Sequence, residues 1–221
     1  MVDDKTARLI EHLHGMMSAE RIEKIERNLR NRTRHVTILL ENIFQSQNAS
    51  AVLRSAECLG IQDIHVVEND NLFEVNPEIV MGAAKWLTIH RYNSQPQNTT
   101  SAIRKLKRDG YRVVAECMID DIEIDQPTVF MFGTELTGLS DEAIAEADGF
   151  VKIPMYGFTE SFNISVSAAL VMQTIITRLR KSDIPWQLTD AERQELTLEW
   201  CRKSLKTPDL IIERFLSESL Q

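Results

Sequence analysis

From Val36 to Lys181 the chain alternates short apolar runs with segments whose apolar residues recur near every 3.6 positions. The runs VTILLENI (36–43), IHVVE (64–68), LTIHRY (87–92), YRVVAEC (111–117), TVFMFG (128–133) and FVKIPM (150–155) read as strands. Between them NASAVLRSAECLG (48–60) carries helical spacing at Val52, Ala56 and Leu59 and stops at Gly60, and TTSAIRKLKRDG (99–110) reads as a second helix. After FVKIPM the turn YGFTESFN leads into a third helix, with Ser161 or Asn163 placed to cap it and Leu170, Val171, Ile175 and Leu179 as its buried face. Strands separated by helices need crossover connections. The pattern therefore predicts an α/β domain over residues 36–181, a mainly parallel sheet with helices on both faces.

The ends of the chain read differently. Residues 4–30 predict two helices broken near Gly15, the second opening at Ser18 and closing near Asn31, a residue type that tolerates a left-handed cap. Past Lys181, Thr189 and Glu192 form a capping-box pattern, with a helix to about Leu205. Thr207 and Pro208 start another helix, with Ile211, Ile212, Phe215 and Leu216 as its apolar stripe. The expected organisation is thus a helical extension over 1–35, the α/β domain over 36–181, and a second helical extension over 182–221. Trp200 and Phe215 read as core or dimer contacts rather than ligand platforms.

Composition excludes several classes. No run approaches the roughly 18 apolar residues of a membrane span, and the first residues lack a secretory apolar region, so a cytoplasmic protein is expected. Cys58, Cys117 and Cys201 contain no CxxC pair and read as free thiols. The five histidines form no i, i+4 pair, so no metal is expected. Dinucleotide, P-loop and nucleophile-elbow signatures are missing from the sequence. The net charge of −8 argues against a nucleic-acid partner, but residues 113–151 hold ten acids and no Lys or Arg. The remainder is therefore net positive, with one cluster that includes Arg27, Arg30, Arg32 and Arg34 and another at Arg104, Lys105, Lys107 and Arg108.

Three segments follow the carboxyl ends of predicted strands, where open α/β sheets bind ligands: FQSQNASAVLRSAECLGI, GTELTGLSDEAIAEAD and IPMYGFTESFNISVSAAL. In this order and spacing they resemble the SPOUT superfamily of RNA methyltransferases, and more closely its TrmH (SpoU) branch. That branch transfers methyl groups from S-adenosylmethionine to ribose 2′-hydroxyls. The resemblance covers residues 30–181 and implies a deep trefoil knot in the C-terminal part of the sheet, a bound S-adenosylmethionine and a homodimer whose interface helps form the site. It makes Asn48 and Arg54 the motif-one asparagine and arginine, Glu135 the motif-two acid, and Ser161 and Asn163 the polar pair of motif three. These five are the expected catalytic residues. The expected cofactor loops hold Gly133, Glu135, Ile153, Met155, Gly157, Ser161, Phe162 and Asn163.

On residue type alone, Asn48 and Asn163 read equally well as helix caps, Glu135 as a turn residue and Arg54 as a surface arginine. Six residues turn a helix by about 600°, so spacing does not make Arg54 and Asn48 converge. The substrate expected from the resemblance is RNA, foremost the D-loop guanosine at position 18 of tRNA, with Arg27, Arg30, Arg32 and Arg34 as phosphate contacts. The alternatives are ribosomal RNA and a catalytically silent RNA-binding relative. The chain departs from tRNA-acting relatives in having Phe44, Gln45, Ser46 and Gln47 where they carry a basic, histidine-bearing segment, and Leu136 where they often carry lysine.

Overall fold

The computed structural model describes residues 4–115, 122–134, 137–149, 153–159 and 161–218. Strand β1 (Val36–Glu41) is the middle of a parallel sheet whose other strands are β2 (Asp63–Val67), β3 (Thr88–Tyr92), β4 (Arg112–Val114) and β5 (Thr128–Phe132), in the order β3-β2-β1-β5-β4. All six β1 residues are buried, as a central strand covered on both faces requires. Helices α1 (Asp4–His14) and α2 (Ala19–Leu29) precede the sheet, and α3 (Ser46–Leu59), α4 (Pro77–Val80), α5 (Thr99–Arg108), α6 (Asp141–Glu146) and α7 (Ile164–Lys181) surround it. Helices α8 (Asp190–Ser204) and α9 (Pro208–Glu218) follow.

The period-two alternation of the strands sets the layers. Ile38, Leu40, Ile64, Val66 and Phe130 pack in one cluster with α3 and α7. Leu39, Val67, Val113, Val129 and Met131 face the other way, against α5 and α6. The expected parallel sheet with helices on both faces is therefore observed. Gly60 ends α3 at φ 82°, the left-handed cap that glycine adopts without strain.

Three local expectations change. Asn31 is not a left-handed cap; α2 ends on Arg30 in right-handed geometry, and the Asn31 amide donates back to the Arg27 carbonyl. Residues 150–152 of the expected strand FVKIPM lie outside the described residues, and Ile153–Tyr156 carry no strand. Leu170 is exposed, because the buried stripe of α7 runs through Ile164, Ala168, Val171, Met172, Ile175 and Leu179 instead.

The chain divides into two compact units, Thr33–Trp186 and a helical unit made from the two ends, up to Arg32 and from Gln187. Within the helical unit Leu13, Ile25, Leu29, Leu196 and Trp200 are buried, and the rings of His12 and Phe215 lie 5.0 Å apart. Within the sheet unit most of the second basic cluster is paired with acids. Arg104 pairs with Glu146 at 2.7 Å and Lys107 with Asp148 at 2.6 Å, fastening α5 to the acidic stretch.

A buried histidine gives this fold a pH dependence. His65 stacks on His90 with 4.6 Å between centroids, and its Nδ1 lies 3.0 Å from the Tyr92 hydroxyl. Burial first, then the neighbouring Asp109 and Asp63, push the Tyr92 phenol up to about 12. Burial, and then His90, lower His65 from 6.5 to about 3. The unfolded chain thus binds the extra proton, and stability present above about pH 6.5 declines as the pH falls toward 3. The full swing is roughly 5 kcal/mol. Denaturant midpoints measured from pH 7 to pH 4.5 should fall for the parent and stay flatter for His65→Phe.

Candidate functional site

The site is assembled where the carboxyl ends of β1 and β5 lie side by side. Glu41, the last residue of β1, is 3% exposed, and its carboxylate accepts from the Thr99 hydroxyl at 2.6 Å, the Ser140 hydroxyl at 2.6 Å and the Ser140 amide at 2.9 Å. One buried acid thereby holds the start of α5 and the N-cap of α6. Asn42 follows at φ 54°, a left-handed conformation that asparagine tolerates. Its Oδ1 accepts from the amides of Asp70 and Asn71 at 2.9 and 2.8 Å, and Asn71 Nδ2 donates to the Asn42 carbonyl at 3.0 Å. The chain is thus clamped as it leaves the sheet for motif one.

Motifs one and three meet. Asn48, in the first turn of α3, is 7% exposed and does not cap its helix; the cap position is Gln45. Asn163 does cap α7, its Oδ1 accepting from the Ser165 amide at 2.9 Å and the Ser165 hydroxyl at 2.6 Å. Its Nδ2 donates to Asn48 Oδ1 at 3.1 Å, and Asn48 Nδ2 donates to Gln45 Oε1 at 3.0 Å. Two asparagines 115 positions apart in sequence therefore share one hydrogen bond. Ser161 stands two residues before the cap and is exposed.

The motif-two loop is a tight hairpin. Thr134 and Gly138 exchange backbone hydrogen bonds at 2.9 and 3.1 Å, and a Cβ built on Gly133 would lie 2.0 Å from the Gly138 carbonyl oxygen. Only glycine fits at Gly133. Glu135 and Leu136 lie outside the described residues. In the motif-three segment Ile153 packs partly against the core, while Met155, Tyr156, Gly157, Phe158 and Phe162 are exposed.

Arg54 is not brought to the asparagine pair within this chain. Its Nη1 lies 3.5 Å from the Ile79 carbonyl, and it lines a groove of about 320 Å³ with Ser55, Cys58, Leu59, Ala169 and Gln173. Of the four expected phosphate-binding arginines, Arg27 and Arg30 are exposed. Arg32 is 2% exposed, its guanidinium 5.1 Å from the Trp200 ring centroid, and Arg34 pairs with Asp63 at 3.1 Å. Of the four arginines expected as phosphate contacts, Arg32 is thus engaged by a cation–π contact and Arg34 by a carboxylate, while Arg27 and Arg30 face solvent. Among the described residues no group of His, Cys, Asp and Glu could hold a metal ion.

Sequence reasoning missed Glu41 and the role of Gln45. The available signal for Glu41 was a lone carboxylate closing an otherwise apolar central strand.

Comparison with known proteins adds a family. Residues 35–173 match the SpoU rRNA Methylase family. The chain belongs to that family. Among curated SpoU relatives, a tRNA (guanosine(18)-2′-O)-methyltransferase from Borreliella burgdorferi is 42% identical over 95% of this chain and 97% of its own length. A Thermus thermophilus protein of the same name is 33% identical, covering 83% of this chain and 96% of its own. In fold, the chain is similar to the A. aeolicus TrmH/SpoU tRNA modifying enzyme, with a TM-score of 0.75 over 85% of this chain and 98% of that one at 23% identity.

Proposed function

We propose that this SpoU-family protein transfers a methyl group from S-adenosylmethionine to the 2′-hydroxyl of guanosine 18 in tRNA. The observation that carries the reading is the 42% identity running the length of both this chain and a relative of that name. The geometry supports it, because motif one and motif three are joined through the hydrogen bond from Asn163 to Asn48.

The residues present suit the cofactor. Gly133 keeps its hairpin closed where any side chain would open it, and the exposed Met155 and Phe162 offer apolar surface beside the polar Ser161 and Asn163. Gly133, Ile153, Met155, Gly157, Ser161, Phe162 and Asn163 would hold S-adenosylmethionine together with Glu135. When bound it supplies one electrophilic methyl group. What the chain must add is acceptor activation: the 2′-oxygen would form a C–O bond to the methyl as the methyl–sulfur bond breaks with its electron pair going to sulfur, and the hydroxyl proton, which is surrendered reluctantly, would pass to water. Arg54, permanently charged, lowers the effective pKa of the hydroxyl electrostatically and anchors the adjoining phosphate; guanidinium is too weakly acidic to serve as the base.

A second copy belongs to the proposal. Val166 and Leu170 on α7 are exposed one turn apart, next to Ala169 and Gln173 of the groove that Arg54 lines. A partner seated on that stripe would therefore cover apolar surface and approach Arg54 at once. The reading also carries the trefoil knot implied by the family, between β5 and α7, and a cytoplasmic location; no helix among the described residues is long and apolar enough to cross a membrane.

The test is transfer of radiolabelled methyl from S-adenosylmethionine to unmodified tRNA and, separately, to ribosomal RNA, followed by nucleoside analysis. 2′-O-Methylguanosine at position 18 of tRNA is expected. Label confined to ribosomal RNA would move the substrate, and no label on either would favour a silent binding relative.

A further inference from the structure

The segment between Asn42 and Leu53 contains no charged side chain, yet it enters the site directly. At its start stands Phe44, 74% exposed, an unusual cost for a phenyl ring in water. The ring does not sit on a slack loop. Two residues earlier Asn42 is clamped to Asp70 and Asn71, and one residue later Gln45 accepts the hydrogen bond from Asn48, which in turn accepts from Asn163. Leu72, immediately beyond the other side of the clamp, is 73% exposed as well.

We propose that Phe44 is a stacking platform for an unpaired base of the RNA substrate, next to the Gln45–Asn48–Asn163 chain of hydrogen bonds. The inference rests on the RNA-methyltransferase reading above and adds how the substrate is gripped. Three features favour a base over a protein side chain or lipid. Phe44 directly precedes Gln45, whose side chain is hydrogen-bonded to the motif-one asparagine, so an occupant of the ring lies one residue from that network. Residues on either side of it, Asn42 and Gln45, are fixed by hydrogen bonds, so little backbone entropy is lost on stacking. Finally, the segment offers no cation, which leaves the π-face and the amides of Gln45 and Gln47 as its means of recognition, and these suit bases better than phosphates. A base stacked on an aromatic ring is held without counterion release, so this grip is insensitive to salt.

The experiment compares the parent with Phe44→Ala, Phe44→Leu and Phe44→Trp for binding to unmodified tRNA across a salt series, with steady-state methylation of the same RNA. Phe44→Ala should raise the Kd for tRNA about tenfold or more. The slope of log Kd against log salt should stay parallel to the parent's, and the effect should fall on KM for RNA rather than on kcat. Phe44→Trp should restore affinity, whereas Phe44→Leu, apolar but without a π-face, should resemble Phe44→Ala. Parent-like binding by Phe44→Ala, or equal rescue by Leu and Trp, overturns the platform. So does conversion of Phe44→Ala to a monomer in sedimentation while the parent is a dimer, because the ring would then belong to a contact between copies. If the parent itself neither binds nor methylates tRNA, the functional reading falls and the platform with it; a methylating parent with an inert Phe44 removes the platform alone.

Discussion

Arg54→Ala is expected to lower single-turnover methyl transfer by about a hundredfold or more while leaving cofactor affinity nearly unchanged. Arg54 reaches the Ile79 carbonyl and lines a groove with residues of α3 and α7, none of which belongs to the expected cofactor loops. Removing it should therefore not disturb the cofactor loops. A group that acts chiefly on the developing alkoxide affects turnover more than ground-state binding. Arg54 is also exposed and makes only a long contact to Ile79, so folding should be indifferent to its loss. Asn163→Ala provides the contrast. It removes the α7 cap and the hydrogen bond that Asn163 donates to the 7%-exposed Asn48, so cofactor affinity and thermal stability should both fall. Rapid-quench rates at saturating cofactor and RNA, with calorimetric titration of the cofactor, separate the two variants. Near-parental transfer by Arg54→Ala would remove the electrostatic mechanism while leaving the family assignment untouched.

The second large effect is expected at Gly133. A methyl group there would lie 2.0 Å from the Gly138 oxygen, 2.1 Å from the Gly138 carbon and 2.3 Å from the Leu139 nitrogen. These are backbone atoms of a hairpin already closed by the Thr134–Gly138 pair, so no side chain can swing aside to admit it. Gly133→Ala must open the hairpin, at a cost toward the top of the range of about 1–3 kcal/mol. Cofactor binding should weaken in parallel, since Glu135 belongs by sequence to the same loop. Urea unfolding and cofactor titration check both parts. An alanine variant as stable as the parent would mean that the hairpin yields more easily than its geometry implies.

The fold was legible because its signals are local. The Ser18 cap, the Thr189–Glu192 box, the Gly60 stop and the apolar run of β1 each act within a few residues, and each is where the sequence places it. The family was legible by a different route, the order and spacing of three motifs. What escaped is whatever depends on a distant partner. Charge alone does not say whether an arginine faces water: Arg32 ends over Trp200 and Arg34 beside Asp63, contacts that no pattern near residue 32 encodes. Helical period alone does not choose between two adjacent apolar stripes, and on α7 it assigned Leu170 to the wrong one. Nor could residue types reveal that Asn48 accepts from Asn163 instead of capping its own helix.

The strand order also governs how the chain comes together as it is made. Ile38 of β1 is in register with Ile64 of β2 but also with Phe130 of β5. The first partner is synthesised soon afterwards; the second emerges 92 residues behind Ile38. At ribosomal rates of about 5–20 residues per second, one edge of the central, fully buried strand waits roughly 5–20 s for its neighbour. During that interval β1, β2 and α3 can already associate, leaving an open template for any passing strand. The nascent chain is therefore most prone to misassociation in the window before β5 leaves the exit tunnel, and trigger-factor-like holdases that cover apolar edges should matter most in that window.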